Sequence, residues 1–199
     1  MFFSAALGLV LFSGAPIFRL DYEVDSVILH AEHDPALFSR FVQRMERAAK
    51  GGGARITFIQ DGVQTIQTFT PMRSTTDIIR PDGKRQSVSG PINSDKNPWV
   101  PLTRAAKLVG LKMLYSKDTK ETRTIAGIKC SKHVRGFEFE DATYETIEWT
   151  ALDSSRSLPP LERYEYRVDL NERKLTLASI ATSVKLGKTP SASSGRRRP

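Results

Sequence analysis

The apolar positions change their period along the chain. Leu37, Phe38, Phe41, Val42 and Met45 recur at helical spacing, with Arg40, Arg44, Arg47 and Lys50 around the rest of the circumference. Asp34 is a good N-cap. Pro35 follows at the first helical position, where its missing N–H costs nothing. Gly51-Gly52-Gly53 closes the run. These features predict a helix over 35–50, read as a cover for a sheet.

After the glycines the period falls to two. Ile56 and Phe58, then Val63, Ile66 and Phe69, lie in β-rich runs broken at Asp61-Gly62, a hairpin signal. Thr75, Thr76, Ile78 and Ile79 continue the pattern, and Pro81-Asp82-Gly83 marks a further turn. Residues 90–101 carry Pro91, Pro98, Pro101 and Trp99 and read as a loop. Thr103 then caps a second predicted helix to about residue 115. It contains Leu108, Val109, Leu111, Met113 and Leu114 and is apolar over much of its circumference. Strands return at 122–128, 130–139, 143–151, 163–170 and 174–185, with a polar turn around Asn171. The short connections favour antiparallel order. The fold class expected is α+β, mainly antiparallel β: a curved sheet or half-barrel covered by two helices.

The two ends read differently from this body. Residues 1–18 carry no charged side chain, and Leu7, Leu9, Val10, Leu11 and Phe12 form an apolar run followed by Ser13-Gly14-Ala15. This resembles a signal peptide, although only the α-amino group supplies the positive front. A membrane anchor and a buried element of a cytosolic fold are the other readings. Residues 188–199 are rich in Ser, Pro and Arg and read as a disordered basic tail. A single domain of ordinary size is left between, at 19–187.

Charge narrows the partners. The formal net charge is +8, which alone would admit nucleic acid or an anionic surface. Yet cations alternate with acids along most segments, and no nucleic-acid-binding motif accompanies them, so nucleic acid is not expected. The one dense cluster, Arg196-Arg197-Arg198, offers a peripheral contact with an anionic membrane. Cys130 is the sole cysteine, which excludes an intrachain disulfide.

Catalytic patterns do not assemble. Gly51-Gly52-Gly53 lacks the Lys-Ser/Thr of a phosphate loop, and no Gly-x-Ser-x-Gly elbow is present. His30 and His33, with the distant His133 and Cys130, make a thin ligand supply for zinc. Cys130 and His133 are three apart, so a strand would point them to opposite faces. Pairs such as Glu138/Glu140 and Glu145/Glu148 are common along the strands, and none stands out for proton transfer. No cofactor or metal is implied, and the chain is not expected to be an enzyme.

Thr124-Ile-Ala-Gly-Ile-Lys-Cys-Ser-Lys132, followed by Trp149-Thr150 and Ser157-Leu158-Pro159, resembles the motif of the GLPGLI group and related exported bacterial domains. That resemblance implies a curved antiparallel sheet similar to the LolA lipoprotein-carrier half-barrel. It covers about a quarter of the chain and transfers no activity. Gly127 would leave room for a bend, Cys130 would fill the core and Trp149 would cover it.

Together these readings give a periplasmic or secreted, non-catalytic protein that binds an apolar ligand such as a lipid or a lipoprotein acyl chain. The candidate lining is Phe58, Ile66, Ile78, Trp149 and Tyr164, with Leu111 and Leu114 from the second helix. The same residues also suit a dry core. The alternative is an envelope structural or protein-interaction module with an envelope protein as partner and no small ligand.

Overall fold

The computed structural model describes residues 17–31, 37–49, 52–91, 111–153, 158–170 and 172–188. They form one antiparallel sheet of eleven strands: β1 (Phe18–Leu29), β2 (Phe38–Ala48), β3 (Ala54–Gln60), β4 (Val63–Phe69), β5 (Arg73–Ile79), β6 (Arg85–Pro91), β7 (Lys112–Ile125), β8 (Ile128–Phe139), β9 (Ala142–Ala151), β10 (Glu162–Asp169) and β11 (Glu172–Leu186). Their order is β6-β5-β4-β3-β2-β1-β11-β10-β9-β8-β7. Two meanders thus run outward from the central pair β1–β11, leaving β6 and β7 at the edges.

The fold class expected from sequence needs correction: among the described residues there is no helix, and the architecture is all-β. The segment 35–50 shows why. Its apolar spacing of four is also two strand periods, so Leu37, Phe41 and Met45 satisfy either structure. In β2 the side chains of Ser39, Phe41, Gln43 and Met45 share one face, and Arg40, Val42, Arg44 and Glu46 the other. The neighbouring strand decides between the two. On β1, Asp21, Glu23 and Asp25 recur at a spacing of two. Arg47, Arg44 and Arg40 meet them, with Nε–oxygen distances of 2.8, 2.7 and 3.0 Å. The backbone ladders with β1 and β3 hold the segment as a strand, although spacings of four and three would also put Arg40, Arg44 and Arg47 on one side of a helix.

The second predicted helix fares similarly where it is described. Lys112–Tyr115 opens β7, and Met113 and Leu114 are 44% and 42% exposed. Residues 103–110 of that segment lie outside the described residues, as do 1–16 of the predicted signal segment 1–18 and 189–199 of the predicted tail 188–199. The sheet itself begins at Phe18, and the Ala49 N–H donates to the Ile17 carbonyl at 2.8 Å.

Turn chemistry sets the meander. Asp61-Gly62, Ala126-Gly127 and Glu140-Asp141 have positive φ at both central positions, the geometry of two-residue hairpins that matches strand twist. Gly127 therefore serves the β7–β8 turn; a Cβ there would meet nothing within 4 Å, so no close packing requires it.

The buried cluster comprises Tyr22, Val24, Met45, Ile56, Ile125, Cys130, Trp149, Leu161 and Ala181, with Phe58, Phe69, Leu158 and Val184 packed against it. Leu161 is 1% exposed and Cys130 0%. Leu161 is anchored through its backbone, its N–H donating to the Trp149 carbonyl at 2.9 Å and its carbonyl accepting from Ala181 at 2.7 Å.

Candidate functional site

Register assigns each side chain to a face, because alternate residues point to opposite sides. Tyr22 pairs with Met45, Met45 with Ile56, and Ile56 with Gln67. One row further on, Val24 pairs with Gln43, then come Phe58, Thr65 and Ile78. These rows make one face of β1–β4 apolar. The alternate rows hold Glu23, Arg44, Thr57 and Ile66, then Asp25, Val42 and Ile59.

The apolar face carries open grooves. One of about 430 Å³ is bounded by Tyr22, Met45, Arg47, Ala54, Phe69, Pro71 and Gly53. Another of about 320 Å³ lies beside Phe41, Phe58 and Val63. The Phe41 and Phe58 rings stack with centroids 5.9 Å apart. A smaller groove of about 190 Å³ adjoins Val24, Phe41, Pro159 and Arg163. Gln43 donates to the Tyr22 hydroxyl at 2.9 Å, and burial raises the pKa of that phenol, so it stays neutral.

The opposite face is charged and internally paired. Lys185 donates to Glu23 at 3.0 Å and Arg44 at 2.7 Å; these bonds, Lys185 first, lower the Glu23 pKa. Arg40 likewise lowers that of Asp25. On β5 the Arg85 hydrogen bond to Asp77, followed by that of Ser87, lowers the Asp77 pKa.

The residues proposed as lining divide between the faces. Phe58 and Ile78 lie in one row on the apolar face. Ile66 pairs with Thr57 and Asp77 on the other. Trp149 and Tyr164 lie on β9 and β10, in successive same-face rows with Glu162 and Ile147. Register through Ile180 and Val27 leads to the side that carries Ile66, yet Trp149 packs into the same buried cluster as Tyr22, Val24, Met45 and Ile56. Leu111 precedes β7 and Leu114 is exposed in that edge strand, so neither forms a covering helix. Sequence reasoning passed over Tyr22, Val24 and Met45. The alternation of Tyr22, Val24 and Ser26 with Asp21, Glu23 and Asp25 was the available signal.

In β7–β10 charge is placed against aromatic and thiol groups. The Arg123 guanidinium lies 4.0 Å from the Trp149 ring centroid and pairs with Glu162, whose side chain is 7% exposed. Tyr164 donates to the same carboxylate. Burial, then that bond, raises the Tyr164 pKa. Burial also raises the Cys130 pKa, which leaves its thiol protonated and unreactive.

One polar relay deserved by its geometry a chemical test. His133 Nδ1 lies 2.5 Å from Asp118 Oδ1, and Nε2 lies 3.1 Å from Ser131 Oγ. The connectivity is that of nucleophile, base and orienting acid. However, the Asp118 side chain is 81% exposed, so water screens the contact that would hold the imidazole. Ser131 also sits within a strand bonded on both sides, opposite Thr122 and Thr150, where the amides serve the ladder rather than a developing oxyanion. Among the described residues no group of three or more His, Cys, Asp or Glu could hold a metal ion.

No protein-family model matches the chain, and no curated protein matches it. Among solved structures it is similar to a crystal structure of MucB in complex with MucA(peri), at 8% identity, with 85% of this chain and 94% of that chain covered and a TM-score of 0.18. At that score the likeness carries no argument about ligand or partner.

Proposed function

We propose that the protein is an exported, non-catalytic binding domain that holds an apolar ligand, such as a lipid or a lipoprotein acyl chain, on the Tyr22-bearing face of β1–β4. One observation carries this reading: the apolar rows of that face border open grooves that meet only Arg47 and Asp61 among charged residues, while Glu23, Asp25, Arg40 and Arg44 are gathered and paired on the other side. An apolar surface beside open space gains free energy from an apolar guest at about 25 cal/mol per Å² buried. The uncharged apolar run at 1–18 supports export to the periplasm or the medium.

Titration with a fluorescent fatty acid, together with mass spectrometry of lipid extracted from the purified protein, tests the reading. The expected result is saturable binding that Phe58→Asp abolishes and Ile66→Asp leaves intact. Absence of saturable binding, or equal loss in both variants, would contradict it.

A second reading has its own support. β6 and β7 are the edges of an open sheet, and β6 is exposed along nearly its whole length. Such edges can accept an added strand from a partner protein. A crosslinking pull-down from the native envelope dominated by one protein, with no bound lipid, would favour this interaction module.

A further inference from the structure

The two edges of the sheet are unlike. β7 carries Lys112, Lys117 and Lys120, and its register with β8 shifts twice, between Met113 and Tyr115 and between Asp118 and Thr122. Lysines and bulges are devices that blunt an edge against a further strand. β6 has neither. It reads Arg-Gln-Ser-Val-Ser-Gly-Pro and pairs with β5 in unbroken register, from Arg85 opposite Ile79 to Pro91 opposite Arg73. Its one charged side chain, Arg85, is already paired with Asp77 at 2.9 Å.

The ladder shows which backbone groups β6 leaves open. The Arg80 N–H donates to the Lys84 carbonyl at 2.9 Å. Hydrogen-bonded pairs alternate along an antiparallel ladder, so Gln86, Val88 and Gly90 turn their N–H and C=O groups to β5. Arg85, Ser87 and Ser89 turn theirs outward, and so does the Pro91 carbonyl. Proline therefore stands where its missing N–H takes nothing from the sheet. Side chains alternate too. Val88 ends the row that runs through Thr76, Gln67, Ile56 and Met45 to Tyr22, so it belongs to the apolar face, and it is 65% exposed.

These features complement a second β6. Antiparallel pairing about a two-fold axis at Val88, the midpoint of the strand, sets Ser87 opposite the partner's Ser89, Gln86 opposite the partner's Gly90 and Arg85 opposite the partner's Pro91. No like charges face each other. The outward N–H groups of Arg85, Ser87 and Ser89 each meet a carbonyl, about six backbone bonds across the axis. Val88 meets its own counterpart at a close, non-hydrogen-bonded position. The match of valine to valine, glutamine to glycine and arginine to proline is supplied by the strand itself, which favours a second copy over a foreign strand. Pairing of β6 with β7 would instead meet lysines and bulges, and would leave edges open to further addition.

We infer that two copies of this chain associate through β6, antiparallel about Val88, into one continuous sheet with both Tyr22-bearing faces on the same side. The inference goes beyond the apolar-ligand reading and does not depend on it. It gives the β6 edge an occupant in place of the foreign strand of the second reading.

Sedimentation equilibrium of the full chain over a range of concentrations tests this. The expected result is a reversible monomer–dimer equilibrium. Val88→Lys should weaken the dimer about tenfold, since like charges then meet on the axis. Val88→Glu should do the same, and an equimolar mixture of the two variants should recover the dimer. The corresponding change on the other edge, Leu114→Lys, should leave association unchanged. Val88→Cys gives a second readout with a small side chain. Oxidised glutathione should link two copies through it, since the Cα separation of a facing pair, about 4.5 Å, suits a disulfide. The native chain, whose Cys130 is buried, should stay unlinked. A protein monomeric throughout the range, a dimer indifferent to Val88→Lys, a mixture of the two charge variants that stays monomeric, or no link through Val88→Cys overturns the inference. None of these results bears on the apolar-ligand reading, which lipid titration tests separately.

Discussion

Strands β1 to β4 keep most apolar and charged side chains on opposite faces, whereas β7 to β10 lay charge directly on aromatic and thiol groups. In the first region Asp21, Glu23 and Asp25 point away from Tyr22 and Val24, and their arginine partners remain 43–74% exposed. In the second, Arg123 covers Trp149 and reaches the buried Glu162. The difference is one of occupancy. A face whose charges have already closed over its aromatics offers little to a guest. A face whose grooves of 430 and 320 Å³ each meet a single charged residue, Arg47 and Asp61, is available to one.

Truncation should separate the two regions most sharply. Trp149→Ala should cost about 4 kcal/mol in a urea melt, since it removes a large side chain from the buried cluster that also holds Cys130. Met45→Ala should cost only about 2 kcal/mol, because the site already borders an open groove and creates less new cavity. Equal costs would break the contrast.

The ion pairs give the next largest effect. Arg123→Ala should cost about 2 kcal/mol: it leaves Glu162 buried, although the 39% exposure of the lost guanidinium moderates the value. Arg44→Ala should cost less than about 1 kcal/mol, since that pair lies at the surface. A double-mutant cycle on each pair measures the two couplings directly.

Acid sensitivity belongs to the charged face of the first region and to β5. The folded-state pKa values of Glu23, Asp25 and Asp77 lie below their ordinary values. Their stabilisation is therefore fully present above about pH 4 and is lost as pH falls through the depressed folded values. Urea midpoints at stepped pH should drop in that acid range, and the drop should shrink in Glu23→Gln/Asp25→Asn. An unchanged acid profile in that variant would remove these carboxylates from the account.

The smallest expected effect is no effect. A fluorophosphonate should leave Ser131 unlabelled at neutral pH, and His133→Ala should not alter that. Labelling that depends on His133 would turn the relay into a nucleophilic site and contradict the non-catalytic reading.

Much of the sheet was legible in the sequence. Asp61-Gly62 and Pro81-Asp82-Gly83 form turns where their chemistry puts them, and the strands from Ile128 onward match the β-branched runs closely. The segment around Phe41 was not legible, because spacing of four fits both periods and Asp34-Pro35 supplied a convincing start signal. Its identity as strand comes from the backbone ladders with β1 and β3, a long-range pairing that no local pattern encodes. The same limit hid the division of the proposed lining. Phe58 and Ile66 look alike as apolar members of adjacent strands, and only the two-residue turn at Asp61-Gly62 fixes the register that sends them to opposite faces.

The central claim is that the guest lies on the Tyr22-bearing face. Methyl-resolved NMR of the full chain during titration with methyl oleate tests it most directly. The account predicts saturable shifts at Val24, Met45 and Ile56, with Ile59 and Ile66 unmoved. Shifts confined to Ile59 and Ile66, or no saturable shift at either face, would contradict it.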